Sequence, residues 1–115
     1  MATANRREKK RIPARFKVDY IHEEDYIISF SKDISVDGMF IRTESPPEVG
    51  QKITIKFPMD DGKKIKVSAH VVWVNMSGAQ KDYGMGVKFI KPSAALRQDI
   101  LKAVNKVAVL NGIKT

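Results

Sequence analysis

A chain of 115 residues, 43% of them hydrophobic, suits one domain with a modest core and argues against disorder. It has no cysteine, which excludes a disulfide framework and thiolate metal sites. The net charge of +8 is uneven: within residues 1–15, Arg6, Arg7, Lys9, Lys10, Arg11 and Arg15 face Glu8 alone, an excess that attracts phosphate-bearing partners.

Residues 1–12 have no apolar periodicity and read as a flexible basic arm; residues 13–112 read as the folded domain. The N-terminus lacks the apolar core of a signal peptide, and no apolar run approaches the length of a membrane span. A cytoplasmic protein is expected. Pro13 marks entry to the fold, because it disfavours helix at Ile12.

Phe16, Val18 and Tyr20 alternate with Lys17 and Asp19, the pattern of a half-buried strand. After the polar turn His22–Asp25, a second strand runs from Tyr26 to Ser31 with Tyr26, Ile28 and Phe30 on one face, which the alternation assigns to the core. Asp33-Ile34-Ser35-Val36-Asp37-Gly38 follows as a turn. Asp33 and Ser35 suit bonds to nearby backbone N–H groups, and Gly38 suits a positive φ. Met39 to Thr43 is a third strand, and Glu44 to Gly50, with Pro46-Pro47, is a loop.

Ile53, Ile55 and Phe57 define a fourth strand, closed by a turn over Pro58–Gly62. The fifth strand, Lys64 to Asn75, is apolar at Ile65, Val67, Ala69, Val71 and Trp73. Its second half adds Val72 and Val74, so a cover is expected there. Tyr83 to Ile90 is the sixth strand, with Met85, Val87 and Phe89 on one face; Gly84 and Gly86 on the other permit close approach or bending. From Ser93, an N-cap, the period becomes helical through Leu96, Ile100, Val104 and Val107, with Asn111-Gly112 as the stop. This helix is the expected cover for Val72 and Val74. Six short strands and one terminal helix predict a mainly β protein, a six-stranded antiparallel barrel with a C-terminal helix.

Catalysis is not expected. His22 sits in a charged turn and His70 on a polar strand face, neither beside a nucleophile, and no phosphate-cradling glycine loop or metal-ligand spacing occurs. No cofactor or metal is expected. Binding is better supported. Arg7 and Arg11 offer two guanidiniums that can grip phosphates or the O6/N7 edge of guanine, and Asp33 can accept from guanine's N1–H and amine. Ser35 and the Gly38 backbone suit phosphate or ribose oxygens.

Arg7-x-x-x-Arg11 followed by Asp33-x-Ser35-x-x-Gly38 resembles the two-part signature of PilZ domains, bacterial receptors for cyclic di-GMP. Val71-Val72-Trp73 and Gly84-Met85-Gly86-Val87-Lys88-Phe89 resemble two further strands of that family. The resemblance implies a six-stranded barrel holding cyclic di-GMP at its rim, with Arg7 and Arg11 on guanine edges and phosphates and Asp33, Ser35 and Gly38 completing the site. It allows one or two stacked ligand copies. The residue before the first arginine, here Arg6, bears on which, and an arginine there favours two. Lys10 and Arg42 are secondary candidates, and Trp73 is read first as core and second as a base contact. With little chain outside the domain, the expected output is a changed arm conformation read by a downstream protein partner. Two alternatives stand beside this reading: a basic barrel binding single-stranded nucleic acid, and a ligand-independent interaction module. The assignment of Phe16, Phe30, Phe57 and Phe89 to core faces leaves few aromatics for stacking on nucleic acid.

Overall fold

The structure, a computed structural model, describes residues 11–58 and 62–110. The expected helix stop at Asn111-Gly112, the centre of the Pro58–Gly62 turn, and Arg6, Arg7, Lys9 and Lys10 lie outside the described residues. Seven strands and one α-helix follow in order: β1 (Ile12–Pro13), β2 (Lys17–His22), β3 (Asp25–Ile34), β4 (Gly38–Arg42), β5 (Lys52–Pro58), β6 (Lys64–Asn75), β7 (Gly84–Phe89) and α1 (Ala94–Leu110).

All pairings are antiparallel, and six strands close on themselves in the order β3-β2-β5-β6-β7-β4, with β4 returning to β3. Closure removes the free edges that an open sheet would expose. The remaining strand, β1, pairs Ile12 with Ile34 and Pro13 with Asp33, and Ile12 is buried in the core. The expected six-stranded barrel with its terminal helix is therefore present, with one short strand added.

The core is the barrel interior, filled by Val18, Tyr20, Ile34, Met39, Ile41, Ile53, Ile55, Phe57, Ile65, Val67, Met85 and Val87. In α1, Ile100, Val104 and Ala108 are buried, and the helix packs on β1 and β6. The backbone N–H of Leu96 donates to Ser93 Oγ at 3.1 Å, the expected N-cap bond.

Two strands depart from their expected facing. In β3, Tyr26, Ile28 and Phe30 point outward, and Ser31 is buried instead. Register is the cause. Ser29 and Ile27 lie opposite Val18 and Tyr20, whose side chains fill the core, so the intervening apolar residues must face solvent. Ser31 pays no penalty inside, because its hydroxyl donates to the Ala14 carbonyl and accepts from the Phe16 N–H.

In β6 a register shift falls between Val71 and Trp73: Val71 pairs with Val87, Trp73 with Gly86 and Val74 with Met85. The extra residue reverses the alternation. Val74 packs toward the core, while Trp73 is 48% exposed, so the core role expected for Trp73 is not observed. Val72, expected beneath the helix, is exposed as well.

Candidate functional site

Chain continuity from Arg11 to β4 builds the site. Beyond β1, the N–H of Ala14 donates to the Lys32 carbonyl and the N–H of Ser31 to the Phe16 carbonyl, fastening residues 12–16 along β3. That course brings Arg11 to Asp33. Arg11 Nη1 donates to Asp33 Oδ1 at 2.8 Å, and the Phe40 N–H donates to the same oxygen at 3.1 Å. Both side chains keep solvent access, which leaves the pair open to exchange for a ligand's hydrogen bonds.

The turn after Asp33 is held from within. The Ser35 N–H donates to the Gly38 carbonyl at 2.8 Å, and the Asp37 N–H donates to Ser35 Oγ at 3.3 Å. Ser35 is buried, with its hydroxyl directed into this turn. Gly38 does not adopt the positive φ that the sequence suggests. It is required for a different reason: a Cβ there would stand 1.9 Å from the Val87 carbonyl oxygen. Glycine lets β4 lie directly against β7 at the end of the turn.

Strand register carries the site around the outside of the barrel. Pro13 pairs with Asp33, Asp33 with Phe40, Phe40 with Gly86, and Gly86 with Trp73. Directly opposed residues share a face, so one row joins the carboxylate to the indole over three strand spacings, about 14 Å. Phe40 and Trp73 meet with ring centroids 5.1 Å apart. Gly86 makes room for them: a Cβ there would lie 2.0 Å from Trp73 Nε1. Next to this row, Gly38 pairs with Lys88 and Lys88 with His70, both exposed, which sets basic groups beside the aromatic pair.

A carboxylate, a guanidinium, a half-exposed indole backed by the buried Phe40 ring, and a flanking lysine suit a planar, hydrogen-bonding, anionic ligand. Among the described residues no group of three His, Asp or Glu side chains could hold a metal, and no helix is long and apolar enough to cross a membrane.

Residues 5–106 match the PilZ domain family. This chain belongs to it. Several solved structures share the fold of this PilZ domain. The PilZ domain of CeSA from a cellulose-synthesizing bacterium is 15% identical, with a TM-score of 0.68 over 85% of this chain and 97% of that one. The PilZ domain of YcgR from Escherichia coli, solved with c-di-GMP, is 13% identical, with a TM-score of 0.73 over 92% of this chain and 94% of that one. MotI (DgrA), the inhibitor of motility of Bacillus subtilis, is 18% identical with a TM-score of 0.75 over 93% of this chain, which spans about half of MotI (53%). No curated protein matches the sequence.

Of the residues predicted from sequence, the PilZ fold brings Arg11, Asp33, Ser35 and Gly38 together and sets Trp73 on the same outer face. Arg42 lies one row further along, where it lines a separate cleft. The sequence alone does not mark Phe40 or Lys88. Phe40 sits in an apolar strand run that reads as core, and Lys88 reads as an ordinary exposed strand residue. Only cross-strand register sets them beside Asp33 and Trp73.

Proposed function

We propose that this PilZ domain binds cyclic di-GMP on the outer face of its barrel, at the row from Asp33 to Trp73. The observation that carries the reading is the Arg11–Asp33 pair, which joins the two halves of the family signature in space. In the proposed complex Asp33 accepts from a guanine's N1–H and amine, and Arg11, joined by Arg7 and Arg6, holds guanine edges and phosphates. Trp73, supported from beneath by Phe40, stacks a base, and Lys88 contributes positive potential. Ser35 and Gly38 hold the turn that presents Asp33. Phosphate relieves the repulsion among the arm's cations, and the changed arm conformation is what a protein partner reads.

Family membership and the c-di-GMP-bound YcgR domain support this reading. Isothermal titration calorimetry with cyclic di-GMP tests it: saturable binding with a stoichiometry of one or two is expected, and no heat at millimolar ligand would overturn it.

A second reading, single-stranded nucleic acid, draws on the exposed aromatics Tyr26, Phe30 and Trp73, since Phe30 does not face the core. Oligonucleotide titrations against salt separate the two. Tight binding with a steep salt slope, and no response to the dinucleotide, would replace the first reading.

A further inference from the structure

Tyr26, Ile28 and Phe30 are 54%, 60% and 41% exposed at successive outward positions of β3. Isolated exposed apolar residues are ordinary, but three in one stripe mark a contact surface. The stripe runs into a cleft of about 260 Å³ lined by Ile28, Phe30, Arg42, Thr43, Glu44 and Tyr83. The cleft opens where β3 and β4 part, beyond the Ser31–Ile41 pair. It is smaller than the roughly 300–1,000 Å³ of small-molecule sites, a size for one or two anchoring side chains rather than a dinucleotide. Lys32, bonded to Asp82 at 3.1 Å and 5.9 Å from the Phe40 ring, stands between the cleft and the Asp33 row.

The charge around the stripe is defined. Arg42 Nε is buried and has no hydrogen-bond partner among the described residues. Arg42 lines the cleft and forms no ion pair among the described residues, so its terminal guanidinium nitrogens, rather than the buried Nε, are the groups offered to an incoming carboxylate. The Arg15 guanidinium stacks 4.7 Å over Phe30, and Lys17 pairs across from Phe30 on β2. Of the nearby acids, Asp82 is paired with Lys32, while Glu44 accepts from Gln80 at 3.2 Å and Asp19, opposite Ile28, accepts from the Tyr26 hydroxyl; the last two keep their charge, and Arg42, Arg15 and Lys17 outnumber them.

We propose that this stripe and cleft dock an acidic segment of a partner protein, with one carboxylate on Arg42 and apolar side chains against Ile28 and Phe30. The chain's own basic leader has the wrong sign to fill the site. A second copy would bring Arg15 and Lys17 against their own kind. The inference stands apart from the cyclic di-GMP reading, because none of its residues belongs to the Asp33 row.

The test is selection of a displayed library of random dodecapeptides on the whole chain, followed by fluorescence polarisation with the enriched peptides. Enriched sequences should carry Asp or Glu flanked by aromatic or aliphatic residues. Their affinity should fall about tenfold or more in Arg42→Gln and in Phe30→Ser, the scale of interface hot spots. An Asp33→Ala variant should bind them unchanged. Both docking variants are at solvent-accessible positions, and their melting curves confirm folding. Peptides without acidic residues, affinities untouched by Arg42→Gln, or no enrichment would each overturn the proposal. A concentration-dependent dimer in sedimentation that dissociates in Ile28→Ser would also overturn it, in favour of self-association.

Discussion

Arg11 Nη1 and the backbone N–H of Phe40 converge on a single oxygen of Asp33, at 2.8 and 3.1 Å. One carboxylate thus ties the start of the described chain to β4, and it does so at the surface. The first prediction separates its two uses. Exposed ion pairs are worth up to about 1 kcal/mol, so Arg11→Ala should barely move the urea midpoint of the free protein. Cyclic di-GMP affinity should fall by about 1.5–3 kcal/mol, the worth of a charged hydrogen bond, measured by calorimetry. An equal loss in stability and no loss in affinity would make the pair structural only.

Gly38 is the stability counterpart within the same motif. In Gly38→Ala the new methyl meets the Val87 carbonyl, a backbone atom that cannot rotate away. β4 must then shift on β7, at a cost of about 1–3 kcal/mol, as for overpacked sites. Urea denaturation reads the change directly. A neutral result would mean that the two strands separate easily there.

Trp73 is the chain's single tryptophan, so its fluorescence reports one place. Ligand stacking on Trp73 should quench or shift the emission saturably during a cyclic di-GMP titration. Trp73→Ala should weaken binding while costing the free protein little, because the indole lies outside the core; the lost ring pair accounts for about 0.5–1.5 kcal/mol. Calorimetric binding with an unchanged emission spectrum would move the ligand off this face.

Tyr26 makes a prediction in alkali. Its hydroxyl donates to Asp19, and that bond, with local desolvation and the carboxylate's charge as smaller causes, raises the pKa of this exposed tyrosine above the usual value of 10.0. Burial likewise raises Tyr20, against a smaller opposing effect of its bond to Thr43. A raised value means the folded state holds the proton more tightly. The stabilisation is complete below the unfolded value and is lost as pH rises through the folded one. Stability should therefore fall from about pH 10 upward. Tyr26→Phe should be less stable at neutral pH, since buried Asp19 loses a donor, and should decline less steeply in alkali. Denaturation midpoints at about pH 8 and about pH 11 check both.

Pattern and fold part company in β3 and β6. In β5 the alternation of Ile53, Ile55 and Phe57 predicts the inward face correctly, because its neighbours keep an even register. In β3 the bulkier alternate residues face outward. Hydrophobicity along one strand cannot tell which face is buried when both carry apolar groups, as Ile27 and Ile28 do; pairing with Val18 and Tyr20 decides. In β6 a single inserted residue reverses Trp73 and Val74, and a bulge leaves no mark in composition.

The sequence alone determined six of the seven strands (not β1), the helix, the barrel class and the two halves of the signature, because period, turn chemistry and motif spacing are local properties of the chain. The tertiary structure decided which faces are wet, that Gly38 serves close packing rather than an unusual φ, and that Trp73, over a buried Phe40, and Lys88 share a surface with Asp33. It also created the cleft around Arg42. These depend on cross-strand register and barrel closure, which bring together residues tens of positions apart and are set by the summed packing of all the strands.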